Sequence, residues 1–267
     1  MKYKLIATDM DGTLVNSKSE LTQRTREAII NTVNAGVLFV TATGRPFCNI
    51  WNVNNLLDKD MPFIVFNGSA AYMGKSEKLL FEKFLDFELA VEAFKLGQDF
   101  GLAQIVWAGA TLWANRICDE TAHYRDFSTI SEMGVAENLE SIIDKVPGIS
   151  KVLWIADPAV IAEKQREMTR HFGERLNCYS SLPQFMEFVS RDASKGSALA
   201  EIGRLFGIDK SEMIAVGDAY NDVSMLEYAG FSVAMENAPD DIKAICDYVT
   251  LSNNDDGVAD VIEKFIL

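Results

Sequence analysis

Two aspartates, Asp9 and Asp11, end an apolar run in KLIATDMDGTLV. Like charges this close repel, and water at an exposed turn, a bound cation or a shared proton can each offset that repulsion. Further polar clusters close apolar runs elsewhere: Thr43, Gly44 and Arg45 after VLFVT, Asn67 and Gly68 after FIVF, and Asp218, Asn221 and Asp222 in GDAYND after MIAV. Lys195 in SKGSAL adds a lone cation. Each cluster has a plain use, since Asp and Gly form turns and Asn221 or Asp222 can cap a helix. If they meet, carboxylates at two strand ends make an oxygen site suited to Mg2+, which keeps several waters for a phosphate to replace. An EF-hand loop is not expected, because position 13 is threonine.

Bringing the clusters together requires an alternating α/β chain. LIAT, a helix from Thr22 to Ala35 with Thr22 as N-cap and Gly36 just past its end, and VLFVT form a βαβ unit. FIVF continues the alternation. It returns with helices at Ser197–Phe206, Asn221–Ala229 and Gly257–Phe265 and strands at MIAV, FSVAM and YVTL. Continuous apolar strands between helices predict a parallel sheet covered on both faces. Ligands of such sheets bind outside the carboxyl ends of the strands, near the reversal of strand order, so one edge would collect all the clusters.

The rhythm breaks between, with helices at Phe87–Phe100 and Ala159–Phe172 and strand candidates AQIVWA and KVLWIA. The expected organisation is a core of residues 1–82 and 189–267 with an inserted α/β domain of residues 83–188. Trp107, Trp113 and Trp154 lie in the insert and are read as its core rather than as a substrate platform.

DMDGT, TGR, SKGSAL and GDAYND, in this order along the whole chain, resemble the motifs of the haloacid dehalogenase superfamily of phosphatases; VAMENA resembles the strand end that often follows them. The insert resembles the C2 cap of the Cof-type branch. The resemblance implies a Rossmann-like parallel-sheet core carrying a cap that selects substrate. It implies Asp9 as phosphoryl-accepting nucleophile, Asp11 as general acid/base and Lys195 as the cation beside Asp9 and the phosphate. Mg2+ would be held by Asp9, the Asp11 backbone carbonyl and Asp218, with Asp222 supporting. Thr43, Gly44, Asn67 and Asn221 would face the phosphate, and Arg45 would touch substrate or pair with an acidic neighbour. Two positions depart from the pattern: Asp192 and Glu236 stand where glycine is common. Asp192 is expected to take any left-handed turn conformation there, and Glu236 to add charge at the rim. Met10 is read as an outward or packing residue.

The reaction this implies is Mg2+-dependent hydrolysis of a small phosphorylated metabolite, a sugar phosphate or a phosphorylated cofactor, through an aspartyl-phosphate. Two rivals are weighed. A phosphomutase needs a second phosphate site, and the insert's arginines form no compact motif. A metabolite-binding protein without turnover would not need Asp9, Asp11, Lys195 and Asp218 together.

A net charge of −14 disfavours extended contact with nucleic acid or an anionic membrane. His123 and His171 are the only histidines, so a His-based triad or zinc triad is not expected. The four cysteines form no CxxC pair, which fits a reducing cytoplasm. The opening apolar run is far shorter than the ~7 to 15 residues of a signal peptide, and no run approaches the ~20 of a membrane span. The expected form is a cytoplasmic monomer or small homo-oligomer.

Overall fold

The computed structural model describes residues 2–50, 55, 59–128 and 130–267. The chain divides into two compact units: one runs to Phe81 and resumes at Ser194, and the other is Glu82–Ala193.

The first unit opens with β1 (Leu5–Asp9), buried throughout. α1 (Gln23–Asn34) starts where the Thr22 hydroxyl accepts the Thr25 N–H. Gly36 follows its end at φ +88°, a conformation glycine adopts without strain. β2 (Leu38–Ala42), β3 (Pro62–Val65), β4 (Ala70–Met73) and β5 (Leu79–Glu82) come next. The FIVF strand ends one residue early, because Phe66 and Asn67 have positive φ and turn the chain away.

The second unit contains α2 (Phe87–Asp99), β6 (Ala103–Ala108), β7 (Thr111–Ala114), α3 (Asp119–Phe127), β8 (Gly134–Val135), β9 (Lys151–Ile155), α4 (Pro158–Phe172), β10 (Leu176–Leu182) and β11 (Phe185–Ser190). Its sheet order is β10-β11-β9-β6-β7-β8, antiparallel except for the β7–β8 pair. One face, carrying Val106, Val152, Trp154 and Phe188, packs against Phe94 of α2 and Ile161, Met168 and Phe172 of α4. Trp154 is fully buried there, Trp113 packs against the same cluster, and Trp107 is buried with its indole N–H donated to the Tyr124 hydroxyl.

The first unit resumes with α5 (Lys195–Phe206), β12 (Met213–Gly217), α6 (Val223–Tyr228), β13 (Phe231–Ala234), α7 (Asp240–Ala244), β14 (Tyr248–Val249) and α8 (Gly257–Phe265). The helix expected over Asn221–Ala229 is a 3-10 turn, Tyr220–Asp222, followed by α6. The sheet order is β14-β13-β12-β1-β2-β3-β4-β5. From β14 to β3 every pair is parallel, whereas β4 turns back antiparallel to β3. Leu5, Ala7, Val40 and Ile64 pack on one face against Ala198, Leu199 and Ile202 of α5 and Leu226 of α6. β1 is the point where strand order reverses: β2 and β3 lie to one side, and β12 to β14 to the other.

Candidate active site

β1 and β12 run side by side, with Thr8 opposite Val216, so Asp9 and Asp218 emerge together at the carboxyl edge. Lys195 reaches the same point from the first turn of α5. Its Nζ lies 2.5 Å from Asp9 Oδ1 and 2.5 Å from Asp222 Oδ1. A cation at a helix N-terminus opposes the macrodipole, and the two carboxylates offset that cost. The helix start itself is secured by Ser194, whose hydroxyl accepts the Ser197 N–H.

Asp222 uses its other oxygen, Oδ2, to accept the backbone N–H groups of Asp218 and Ala219, each at 3.0 Å. Asp218 Oδ1 accepts the Thr13 hydroxyl at 2.7 Å. Gly12, at φ +80°, lies so close under Asp218 that a β-carbon would overlap the carboxylate. Glycine is therefore required twice over, by conformation and by space.

Asp9, Asp218 and Asp222 can each place an oxygen within 4.8 Å of the others. Asp9, Asp222 and Lys195 are buried and Asp218 is half-buried. Burial, with Asp222 beside it, pushes the Asp9 carboxyl well above the usual range, against the pull of Lys195. Burial likewise pushes Asp218 up to about 6, opposed by the Thr13 hydrogen bond. For Lys195 burial works against the charge, but Asp222 and Asp9 override it and hold the ammonium above its ordinary value. When ionised, three carboxylates around one ammonium leave negative charge for a further cation to balance. An all-oxygen set of this kind fits Mg2+. Because Asp222 is engaged by Lys195 and two amides, Asp9 and Asp218 are the side chains best placed to hold it, with Asp222 as their support.

A second network lies on the neighbouring strand ends. The Arg45 N–H donates to Thr43 Oγ1 at 3.1 Å, and the Asn67 N–H donates to the Thr43 carbonyl at 3.0 Å. Asn67, buried at φ +53°, accepts the Asn221 side-chain N–H on Oδ1 at 3.0 Å. Gly44 sits against the Asn67 carboxamide, where a β-carbon would be tightly placed. Thr43, Gly44, Asn67 and Asn221 are thus joined across three strand ends.

Asp11 stands apart. Its carboxylate turns to Arg45, whose Nε and Nη2 donate to the two oxygens at 2.9 and 2.5 Å. Its side chain is 52% exposed, so only its backbone remains with the turn as a candidate ligand. Of the two partners open to Arg45, the structure shows the acidic one. Met10, between the aspartates, is buried and packs inward.

A family model for haloacid dehalogenase-like hydrolases matches residues 6–262. The chain belongs to the haloacid dehalogenase superfamily. It is an enzyme of the Cof-type phosphatase branch. In Bacillus subtilis (strain 168), 5-amino-6-(5-phospho-D-ribitylamino)uracil phosphatase YwtE is 30% identical over 285 residues, with 98% of each chain covered. Phosphatase YwpJ of the same organism is 28% identical over 285 residues, covering 98% of this chain and 100% of its own. The crystal structure of a haloacid dehalogenase-like hydrolase from Bacteroides thetaiotaomicron superposes with a TM-score of 0.84 at 30% identity, covering 99% of this chain and 100% of that one.

Within this superfamily member, the two departures from the motif pattern resolve simply. Asp192 does not adopt a positive φ, so the left-handed turn expected there is not used. Glu236 is exposed. His171 pairs with Glu92 in the second unit and His123 is exposed, so neither joins the carboxylates. Two residues of the site carry no assignment from sequence alone. Thr13 and Asn237 both hydrogen-bond Asp218. DMDGT and VAMENA contain them, but nothing local in either motif reveals a partner that only the strand order brings near.

Proposed function

We propose that this phosphatase hydrolyses small phosphorylated metabolites, sugar phosphates or phosphorylated cofactors, through a phosphoryl group carried on Asp9, with Mg2+ as cofactor. The observation that carries the reading is the buried contact of Asp9 with Lys195, itself paired with Asp222, with Asp218 beside them.

Asp9 attacks phosphorus with the carboxylate oxygen not engaged by Lys195, and the bond to the leaving oxygen breaks. Asp11, once turned from Arg45 and protonated, gives that oxygen its proton. Water then attacks the aspartyl-phosphate, Asp11 takes the water's proton, and inorganic phosphate leaves. Lys195 stays protonated and balances charge on the transferring group, while Thr43, Gly44, Asn67 and Asn221 orient its oxygens. Asp9, Asp218 and the Asp11 carbonyl would hold Mg2+, which would supply further charge neutralisation. Arg45 pairs with Asp11 and would touch the leaving group.

The Glu82–Ala193 unit acts as the cap that excludes water and selects the leaving group. The name of the YwtE relative supports a phosphorylated ribityl compound as one test substrate. Cys118, Cys178 and Cys246 are free thiols, which supports a reducing cytoplasm, and the net charge of −14 supports a small-molecule partner rather than nucleic acid. Among the described residues no helix is long and apolar enough to cross a membrane. The test is phosphate release from a panel of phosphorylated metabolites with Mg2+ and with EDTA. Turnover confined to the Mg2+ arm is expected; equal turnover in EDTA would overturn the metal assignment.

A further inference from the structure

The motif after β13, AMENA, contains a side chain that the proposed reaction does not use. Asn237 Nδ2 lies 2.9 Å from the Gly12 carbonyl and 3.4 Å from Asp218 Oδ2. Its Oδ1 accepts the Asn253 N–H at 3.0 Å, and Asn253 in turn donates Nδ2 to the Val15 carbonyl at 2.9 Å. The backbone amide of Asn253 therefore fixes which way the Asn237 carboxamide faces. With its oxygen so engaged, both N–H bonds of Nδ2 are directed at the turn that holds Asp9 and at Asp218.

We propose that Asn237 is a positioning residue for the cation site, one that fixes the Asp218 carboxylate and the Gly12 turn relative to each other. The proposal rests on the Mg2+ reading of the proposed function. Asp218 is held on Oδ1 by the Thr13 hydroxyl and on Oδ2 by Asn237. Both donors are neutral. They restrict rotation of the carboxylate without cancelling the charge that attracts a cation, which a lysine or arginine in the same place would do. The Gly12 contact is the second half of the device: the turn that presents Asp9 lies directly against Asp218, and Asn237 ties its carbonyl to the same amide group. The loop of residues 251–256 provides the anchor, because Asn254 also binds Ser17 and Asp256 accepts the hydroxyls of Thr22 and Thr25. A carboxamide outside the ligand set thus links two sheet-edge turns. Groups that orient metal ligands typically change affinity by ~10- to 100-fold when removed.

The test uses the whole chain and Mn2+ as probe, with free Mn2+ followed by its electron paramagnetic resonance signal and the melting temperature taken in EDTA. Asn237→Ala should weaken Mn2+ binding by about 10-fold or more while the melting temperature in EDTA stays near that of the parent. Asn237→Asp keeps the shape and the acceptor for Asn253 but turns the donor into an acceptor. It should also bind Mn2+ more weakly, despite the added negative charge. Glu236→Gln, next to it and exposed, should bind as the parent does. A parent that binds Mn2+, an Asp218→Ala variant that does not, and Asn237 variants that match the parent would overturn the positioning role and leave the cation reading intact. An Asn237→Ala variant with a lowered melting temperature and unchanged affinity would overturn the positioning role as well. A parent that binds no Mn2+ removes the cation reading, and the positioning role falls with it.

Discussion

At the scale of single residues, Asp9 and Asp11 share a turn but not an environment. Asp9 is buried against Lys195, and Asp11 is forked by Arg45 at the surface. Paired carboxylates with different surroundings suit different roles. Asp11→Asn keeps the backbone carbonyl and loses the proton donor. Phosphorylation of Asp9 should then slow by ~10² to 10⁴-fold with alkyl phosphates and much less with aryl phosphates, whose leaving groups need no proton. Single-turnover measurement with both substrate types checks this, and equal defects would remove the acid/base role. The aspartates, Thr43, Lys195 and GDAYND are legible in the sequence because each ends an apolar run or opens a helix. The Arg45 fork and the carboxamides of Asn67 and Asn237 are not legible as contacts, since their partners are brought near only by strand order.

At the scale of elements, strand ends position the site and helix starts secure it. Thr22 caps α1 and also donates its hydroxyl to Asp256 at the start of α8, so one side chain serves two helices. Thr22→Ala should cost about 1–2 kcal/mol, the upper part of the range for an N-cap, read as the shift in a urea midpoint. In β10, burial pushes the Cys178 thiol up to about 12. A thiol whose folded value lies above its unfolded value stabilises the native state below about 8.5 and loses that contribution as pH rises toward about 12. Between pH 9 and 10.5 the parent should therefore lose stability faster than Cys178→Ser, by up to about 1.4 kcal/mol per pH unit. Parallel slopes in urea titrations would contradict it. The parallel strands and their helices are readable because continuous apolar runs alternate with capped amphipathic segments. β4 and the β10–β11 hairpin are not. β4 follows the FNG turn with almost no punctuation, and LNCYSSL in β10 has neither an apolar run nor strict alternation.

At the scale of the whole molecule, the chain leaves its first unit once and returns once, and all the proposed chemical groups lie in that unit, which ends at Phe81 and resumes at Ser194. Replacing Glu82–Ala193 by a short Gly/Ser linker should leave phosphoryl transfer to Asp9 from small aryl phosphates but erase the parent's ranking of metabolites. A soluble core that kept the ranking would contradict that division. The central claim is that phosphate passes through Asp9, and the most direct measurement is rapid-quench labelling of the intact chain with a 32P-labelled substrate. Acid-stable, hydroxylamine-labile label should appear on the parent within one turnover, persist longer in Asp11→Asn and be absent from Asp9→Asn. Label on Asp9→Asn, or turnover by that variant at a rate near the parent's, would contradict the account.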